Sequence, residues 1–369
     1  MPQRGTMLCD NDGDSASRFG LGSGDLAIPY RRHDGGWGYV FGDANVGRAA
    51  TEPYIGSPVL LYQDRFDSSG ETAIEFTGSQ PSPTCAQLFD YQHQADNGRG
   101  VVEFTRIPND ATALQVDGQD RLFIQYTSVH AWVPEGSPND GSAFGGIAYS
   151  DDHGASWKDF DHIWNGDALG GNGSLYSMWS FAGVDADGHL YCFSKAWNGS
   201  HHYAADAGLI QLFRFDPRDF FHGRFDGQEN WAFLDDKWQW TRDAAPSPMF
   251  GPGNAIGEFS VKNIQGMYCM AYFDVDDYSI RTRTSPRPDG TWSEPETQVV
   301  GKNAWPMGHW GKPHLPNLYG GYIHPGSASA DSLTLIISQW PGKAGEPPYT
   351  VTQWDGIKPG PTTGSGKRV

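Results

Sequence analysis

One unit recurs along this chain and limits what it can become. An apolar strand, a turn containing Gly or Asp, and a second strand rich in aromatic and β-branched residues appear together as LQVDGQDRLFIQYTS from Leu114, FAGVDADGHLYCFSKAW from Phe181 and EFSVKNIQGMYCMAYFDV from Glu258. The hairpin GSGDLAIPYRRHDGGWGYVFGDAN, Gly22 to Asn45, is a further copy, and LYGGYIHPGSASADSLTLIISQW from Leu318 is a looser one. Most copies are followed by what reads as another strand pair: FGGIAYSDDHGASWKDF, LIQLFRFDPRDF, YSIRTRTSPRPDGTWS and PYTVTQWDGI. No segment keeps the i, i+3, i+4, i+7 apolar spacing of a helix, and 48 Gly and 25 Pro punctuate the chain throughout. Four strands per unit, repeating every 65 to 85 residues or so, fit propeller blades with long loops better than a sandwich, whose turns come every 8 to 12 residues. The fold class is therefore all-β, a five-bladed β-propeller in one domain over residues 1–357. KPGPTTGSGKRV, residues 358–369, has the composition of a flexible tail.

The formal net charge of −18 disfavours a nucleic-acid partner, whose binding rests on Lys and Arg replacing counterions, and suits a neutral polymer. The four cysteines, Cys9, Cys85, Cys192 and Cys269, form no C-x-x-C pair, so neither zinc nor redox chemistry is written here. Cys192 and Cys269 read as core residues, and pairing of Cys9 with Cys85 stays open. DNDGDS from Asp10 starts like a calcium loop, but Ser15 and Leu21 stand where that loop needs Gly and Glu. No metal and no cofactor is expected. There is no apolar run long enough to span a bilayer, so no membrane insertion is expected, and the first residues lack the apolar region of a signal peptide.

The first hairpin carries an acid at each open end. A turn centred on Asp34 makes residues equidistant from it face each other, and Asp25 and Asp43 each lie nine residues away. Facing like charges cost roughly a few tenths to 1 kcal/mol, which invites either a compensating function or two separate capping jobs at strand ends. In a propeller the inner strands converge on a central funnel, so both carboxylates would be displayed at its mouth, beside the glycines of GSGD and FGDA. Mutual repulsion separates the two titrations, keeping one carboxyl protonated beside an ionised one, as glycoside hydrolysis requires.

The segment SDDHGASW, Ser150 to Trp157, matches the Asp-box pattern S-x-D-x-G-x-[ST]-W of sialidase-like and other glycosidase propellers, and SPRPDGTW from Ser285 is a worn version. In those families the box closes an outer hairpin and is not catalytic. A sialidase reading draws on RIP at Arg106, but such enzymes also need two further carboxylate-binding arginines, six blades and several boxes. A non-catalytic glycan-binding propeller, such as a receptor-binding part of a phage tail, is the alternative from another class.

The segments GSGDLAIPY and YVFGDAN, followed by GSPVLLY, with GEFSVKN at Gly257 and LYGGYIHP at Leu318, resemble a bacterial family first catalogued as of unknown function and later recognised as endo-D-arabinanases, glycoside hydrolase family 183. The resemblance implies a five-bladed propeller that cleaves D-arabinofuranosyl linkages in mycobacterial arabinogalactan and lipoarabinomannan, with two funnel acids that map onto Asp25 and Asp43. GDAN stands here where the family more usually has GDT. The expected partner is D-arabinan polysaccharide, met outside the cell by a virion-associated protein or by one whose leader precedes this numbering. A tail assembly or a homo-oligomer is the expected setting.

The same register nominates further funnel residues: Trp179, Glu258 and Tyr322 before the later turns, and His130, Trp197 and Asp274 just past second strands. Trp179, Trp197 and Tyr322 are candidates to stack on sugar faces, or else pack between blades. Glu258 and His130 are candidates to hydrogen-bond hydroxyls. Glu258, opening an apolar strand, is also a candidate third acid, and His324 of YIHP is either a sugar ligand or a structural histidine.

Overall fold

The computed structural model describes residues 6–8, 14–48, 50, 53–131, 141–170, 173–197, 209–250, 254–301, 311–342 and 348–360. Cys9 and residues 361–369 lie outside them.

Five antiparallel sheets follow in chain order. Blade one pairs Ile28–Arg31, Trp37–Phe41, Val59–Gln63 and Gly78–Gln80; blade two is built on Thr105–Val116, Gln119–Val129 and Ser142–Ser150, with Lys158–Asp159 outside. Blade three runs Met178–Val184, Leu190–Lys195, Gln211–Phe215, Glu229–Leu234 and Lys237–Thr241, and blade four runs Ile256–Ile264, Met267–Asp274, Ser279–Ser285 and Glu296–Val300. Blade five holds Leu318–Ile323, Leu333–Gln339 and Thr350–Ile357. The first strands of the five blades touch one another in ring order and close around an axis, as in a five-bladed propeller.

Two second halves differ from the strand pairs read in the sequence. PYTVTQWDGI is one strand, and the fourth strand of blade five is Thr6–Met7 from the other end of the chain, paired Thr6 to Gln353 and Met7 to Thr352. Closing a ring from a linear chain needs such a seam. In LIQLFRFDPRDF only Gln211–Phe215 is a strand; Pro217–Phe221 is a short helix, because Asp216 caps Arg218 N and proline at the first helical position fits a helix start. Lys358 accepts a hydrogen bond at its carbonyl from Gln298 Nε2 of blade four (2.9 Å).

A blade's inner strand has a ladder partner on one side only, and its other edge must find hydrogen bonds elsewhere. Small polar side chains provide them across blades. Ser180 Oγ accepts from Val261 N (2.8 Å), Ser260 Oγ from Ile323 N (3.2 Å) and Ser338 Oγ from Leu26 N (3.0 Å). Asp110, fully buried, ties three blades together: its Oδ2 accepts from Lys262 Nζ of blade four (2.6 Å), Ser180 Oγ (2.6 Å) and Phe181 N (2.8 Å) of blade three. Between blades two and three the packing is aromatic, with Trp164, Trp179, Phe181, Phe213, Phe215, Phe220 and Phe225 in one cluster.

The Asp box closes the hairpin after Ser142–Ser150. Asp152 accepts from Ser150 Oγ (2.8 Å), Ser156 N (2.8 Å) and Ser156 Oγ (2.6 Å), while Trp157 packs on Phe89.

Removing one partner of a buried ion pair leaves the other charge uncompensated. Asp110→Ala is expected to cost about 3–5 kcal/mol in urea unfolding, and adding Lys262→Met to restore a substantial part of the loss.

Candidate functional site

The hairpin register holds on both sides of the acids. Ile28 pairs with Val40 and Arg31 with Trp37; beyond them Ser23 pairs with Asn45 and Gly24 with Ala44 in a small three-stranded extension. Asp25 and Asp43 therefore face each other between two ladders. The chain between those ladders is kinked: Leu26 (φ 66°) and Ala27 (φ 46°) are both left-handed, an uncommon conformation for residues with a Cβ, and both Ala27 N (2.8 Å) and Gly42 N (3.2 Å) donate to the Asp25 carbonyl.

Both aspartates line one cavity at the axis, about 410 Å³ of open space, with Leu26, Ile107, Asn109, Met178, Trp197, Glu258, Tyr319, Tyr322, Trp340 and Tyr349 forming the rest of the wall. Asp25 is 5% exposed. Tyr319 Oη donates to its Oδ2 (2.8 Å); its Oδ1 has no hydrogen-bond partner among the described residues. A Cβ at Gly42 would fall 2.4 Å from that Oδ1, so the residue before Asp43 has to be glycine for the carboxyl to sit there. Burial, then the charge of Asp43, pushes the Asp25 carboxyl up to about 7, against the hydroxyls of Tyr349 and Tyr319 and with a smaller push from Glu258.

Asp43 is more exposed. Its Oδ1 accepts from Tyr54 Oη (2.9 Å) and Thr105 Oγ1 (2.9 Å). Burial raises its pKa too, while those hydroxyls and His93 pull it back. The Asp43 charge raises Asp25 and Asp25 does not figure among the influences on Asp43, so Asp43 ionises first.

Of the other nominated residues, Glu258, Tyr322 and Trp197 reach the cavity. Glu258 Oε2 is buried with no hydrogen-bond partner among the described residues; burial raises its pKa and the Lys195 ammonium, itself fully buried, opposes that rise. Four nominations need correction. Trp179 lies one residue out of phase: it is fully buried against Trp164 and Phe213 between blades, its Nε1 donating to Tyr176 O (2.7 Å), and its neighbour Met178 lines the cavity. His130 turns away, with Nδ1 2.8 Å from Val102 O. Asp274 is consumed by its own turn, pairing with Arg281 (3.1 Å) and accepting from Asp277 N (3.0 Å). His324 is a structural histidine, fully buried between Trp37 and Phe66; Gly326 N donates to its Nδ1 (3.0 Å), and burial holds its pKa well below the ordinary value.

Tyr319, Trp340, Tyr349 and Asn109 were not nominated. Tyr319 and Tyr322, three residues apart, would ordinarily point to opposite faces. Gly320 (φ 67°) and Gly321 (φ 138°) shift the register between them and bring both to the cavity. Trp340 follows a second strand, as Trp197 does, and that placement was the available signal; it stacks between Tyr319 (4.3 Å) and Tyr349 (5.8 Å). Arg106, the candidate sialidase arginine, is spent on Glu103 (2.9 Å) and Asp159 (2.9 Å) outside the cavity. Among the described residues no group of three or more His, Cys, Asp or Glu is placed to hold a metal.

With this geometry in place, the chain was compared with known proteins. Residues 10–355 match the domain of unknown function DUF4185. The chain belongs to that family. Notoamide biosynthesis cluster protein J' of Aspergillus versicolor is 30% identical over 352 residues, 92% of this chain and 86% of that protein. An uncharacterised 35.9 kDa protein of Mycolicibacterium smegmatis is 27% identical over 154 residues, 40% of this chain and 44% of that one. Among solved structures, a candidate exo-β-1,3-galactanase from Bifidobacterium bifidum superposes with TM-score 0.54 at 13% identity, covering 96% of this chain and 93% of its own. The exo-β-1,3-galactanase of Phanerochaete chrysosporium gives 0.51 at 8% identity, covering 95% and 64%. At these identities the likeness is one of fold.

The raised pKa of Asp25 has a stability consequence. The unfolded chain ionises this acid near 3.8 and the folded one near 7, so the folded state binds the extra proton between those values, and stability falls as pH rises from 3.8 through 7. In this DUF4185 protein Asp25→Asn is expected to raise the melting temperature at pH 8, by at most about 4 kcal/mol of relieved cost, and to leave it unchanged at pH 3.

Proposed function

We propose that this protein is a glycoside hydrolase in which Asp25 is the general acid and Asp43 the ionised partner, base or nucleophile. The observation that carries the reading is the pair itself: two carboxyl groups facing each other on one hairpin, in one cavity, with their titrations driven apart by different surroundings. In protonated Asp25 the Tyr319 hydroxyl occupies Oδ2, so the acidic proton belongs on Oδ1, the oxygen without a partner among the described residues. A glycosidic oxygen brought to Oδ1 would take that proton as its bond to the anomeric carbon breaks. Asp43, held by Tyr54 and Thr105, meets the oxocarbenium-like centre either directly or through a water it deprotonates. The aromatic wall of Trp197, Tyr319, Tyr322 and Trp340 suits the apolar faces of sugar rings.

The substrate we infer is D-arabinan, cleaved internally. GSGDLAIPY, YVFGDAN and GSPVLLY, the segments that resemble the endo-D-arabinanases, are the ones that build Asp25, Asp43 and the strand beside them. The propellers of similar fold named for galactanase activity are in keeping with a glycosidase, and the consumption of Arg106 by carboxylates tells against a sialidase.

The test is oligosaccharide release from mycobacterial arabinogalactan, run beside galactan, xylan, a sialoside and 4-nitrophenyl α-D-arabinofuranoside. Wild type is expected to release arabino-oligosaccharides, with kcat/KM falling above about pH 7 as Asp25 ionises. Asp25→Asn and Asp43→Asn are each expected to lose about 10²- to 10⁴-fold. NMR of the first anomer formed shows whether Asp43 acts as nucleophile or base. Binding of arabinan without cleavage would establish the non-catalytic glycan-binding reading instead, and cleavage of another glycan alone would move the substrate.

A further inference from the structure

Behind Asp43 lies a chain of hydrogen bonds that determines where one proton points. Tyr54 comes from the small extension of blade one, Tyr91 and His93 from the connection to blade two. Tyr54 Oη lies 2.9 Å from Asp43 Oδ1 and 2.7 Å from His93 Nε2, and Tyr91 Oη lies 2.8 Å from that same nitrogen. Counting protons fixes the directions. Tyr91 donates its only proton to Ser57 O (2.8 Å) and accepts from Arg106 N (3.0 Å), so towards His93 it is an acceptor. Nε2 must then carry a hydrogen, shared between the two tyrosine oxygens. A bare Nε2 would take the Tyr54 proton for itself and leave Asp43 Oδ1 with Thr105 alone.

We propose that His93 is a positioning residue for Asp43: its Nε2–H occupies the Tyr54 oxygen and so commits the Tyr54 proton to the carboxylate, keeping Asp43 the ionised member of the pair. This rests on the pair acting as proposed above, but the proton count is independent of any substrate. Burial lowers the His93 pKa below its ordinary value, opposed by the charge of Asp43, so near neutral pH the ring is neutral and has one proton to place. The groups facing Asp43 are Asp25 across the hairpin, Tyr54, Tyr91 and His93 from blade one and its connection, Thr105 from blade two and Tyr349 from blade five. Asp25 is the one other acid among them, and it is still protonated where Asp43 ionises. Tyr54, 41% exposed, and half-buried His93 place the outer end of the chain near solvent.

The experiment compares His93→Leu, which has no donor, with His93→Gln, which keeps an N–H at similar reach. Carboxyl ¹³C NMR titration of the substrate-free protein, with Asp43→Asn to assign the signal, reads the Asp43 midpoint directly. In His93→Leu the midpoint is expected to rise by about half a unit to one unit, the size of one hydrogen bond, and in His93→Gln to return to within a few tenths of wild type. Where a substrate is cleaved, the acid limb of kcat/KM should move by the same amount, so that His93→Leu loses more activity at pH 5 than at pH 6.5. An Asp43 midpoint unmoved in His93→Leu, or moved equally in both variants, overturns the proposal. If no glycan is cleaved, the hydrolase reading fails while the titration still decides the role of His93.

Discussion

Five edge strands brought to one axis set the terms for everything else in this molecule. Each inner strand satisfies half its backbone within its own blade and must satisfy the rest against neighbours it does not pair with. An apolar centre would leave those groups bare. The chain answers with Ser180, Ser260 and Ser338, and with Asp110, whose carboxylate receives a backbone amide, a hydroxyl and an ammonium. The centre of this propeller is thus polar by structural necessity, before any question of activity arises. A cavity opening onto that axis inherits hydrogen-bonding walls without a separate layer of residues to supply them.

Strict alternation along an inner strand would send every second side chain to the axis and no others. Each strand departs from it. The register shifts between Pro108 and Asp110, Phe181 and Gly183, Ile256 and Phe259, and Tyr319 and Tyr322; blade one has its left-handed Leu26 and Ala27 instead. These are places where an unusual backbone costs on the order of 1–3 kcal/mol per residue and persists because surrounding contacts hold it. Asp25 is beside one of them, and Asn109, Glu258 and both Tyr319 and Tyr322 sit at or within others. The irregularities re-aim side chains into the cavity that a regular strand would have turned toward a neighbouring blade.

This explains what could be read from the sequence and what could not. The facing of Asp25 and Asp43 was legible because a hairpin with a short turn carries its register in the residue numbers, and the repeat count gave five blades because each blade begins with such a hairpin. Trp197 was legible for the same reason. Trp179 was misplaced by a single residue, which in a strand is the difference between the axis and the gap between blades. Tyr319 was hidden by the two glycines that follow it, and Tyr349 by the lack of any periodicity in the connection it ends. His130 and Asp274 occupy the expected ends of second strands, but Val102 and Arg281, far in sequence or across a turn, claim their polar atoms. The Tyr54, Tyr91 and His93 chain is legible only once two connections of blade one are brought together.

The same amino acid at two facing positions ends with two characters because the hairpin is symmetric in register and asymmetric in surroundings. Asp25 is sealed by Leu26, by the absence of a side chain at Gly42, and by the Tyr319 ring that stacks on Trp340. Asp43, on the returning strand, is placed where blade two begins and where Tyr54 and Thr105 can meet it. Burial therefore weighs more on the first acid, and the charge settles on the second, whose presence then weighs on the first again. Repulsion that would merely destabilise an isolated hairpin becomes, at the mouth of this funnel, the means by which one carboxyl retains its proton near neutral pH. The division of labour belongs to the environment, and exchanging the two residues would change nothing, since they are already identical.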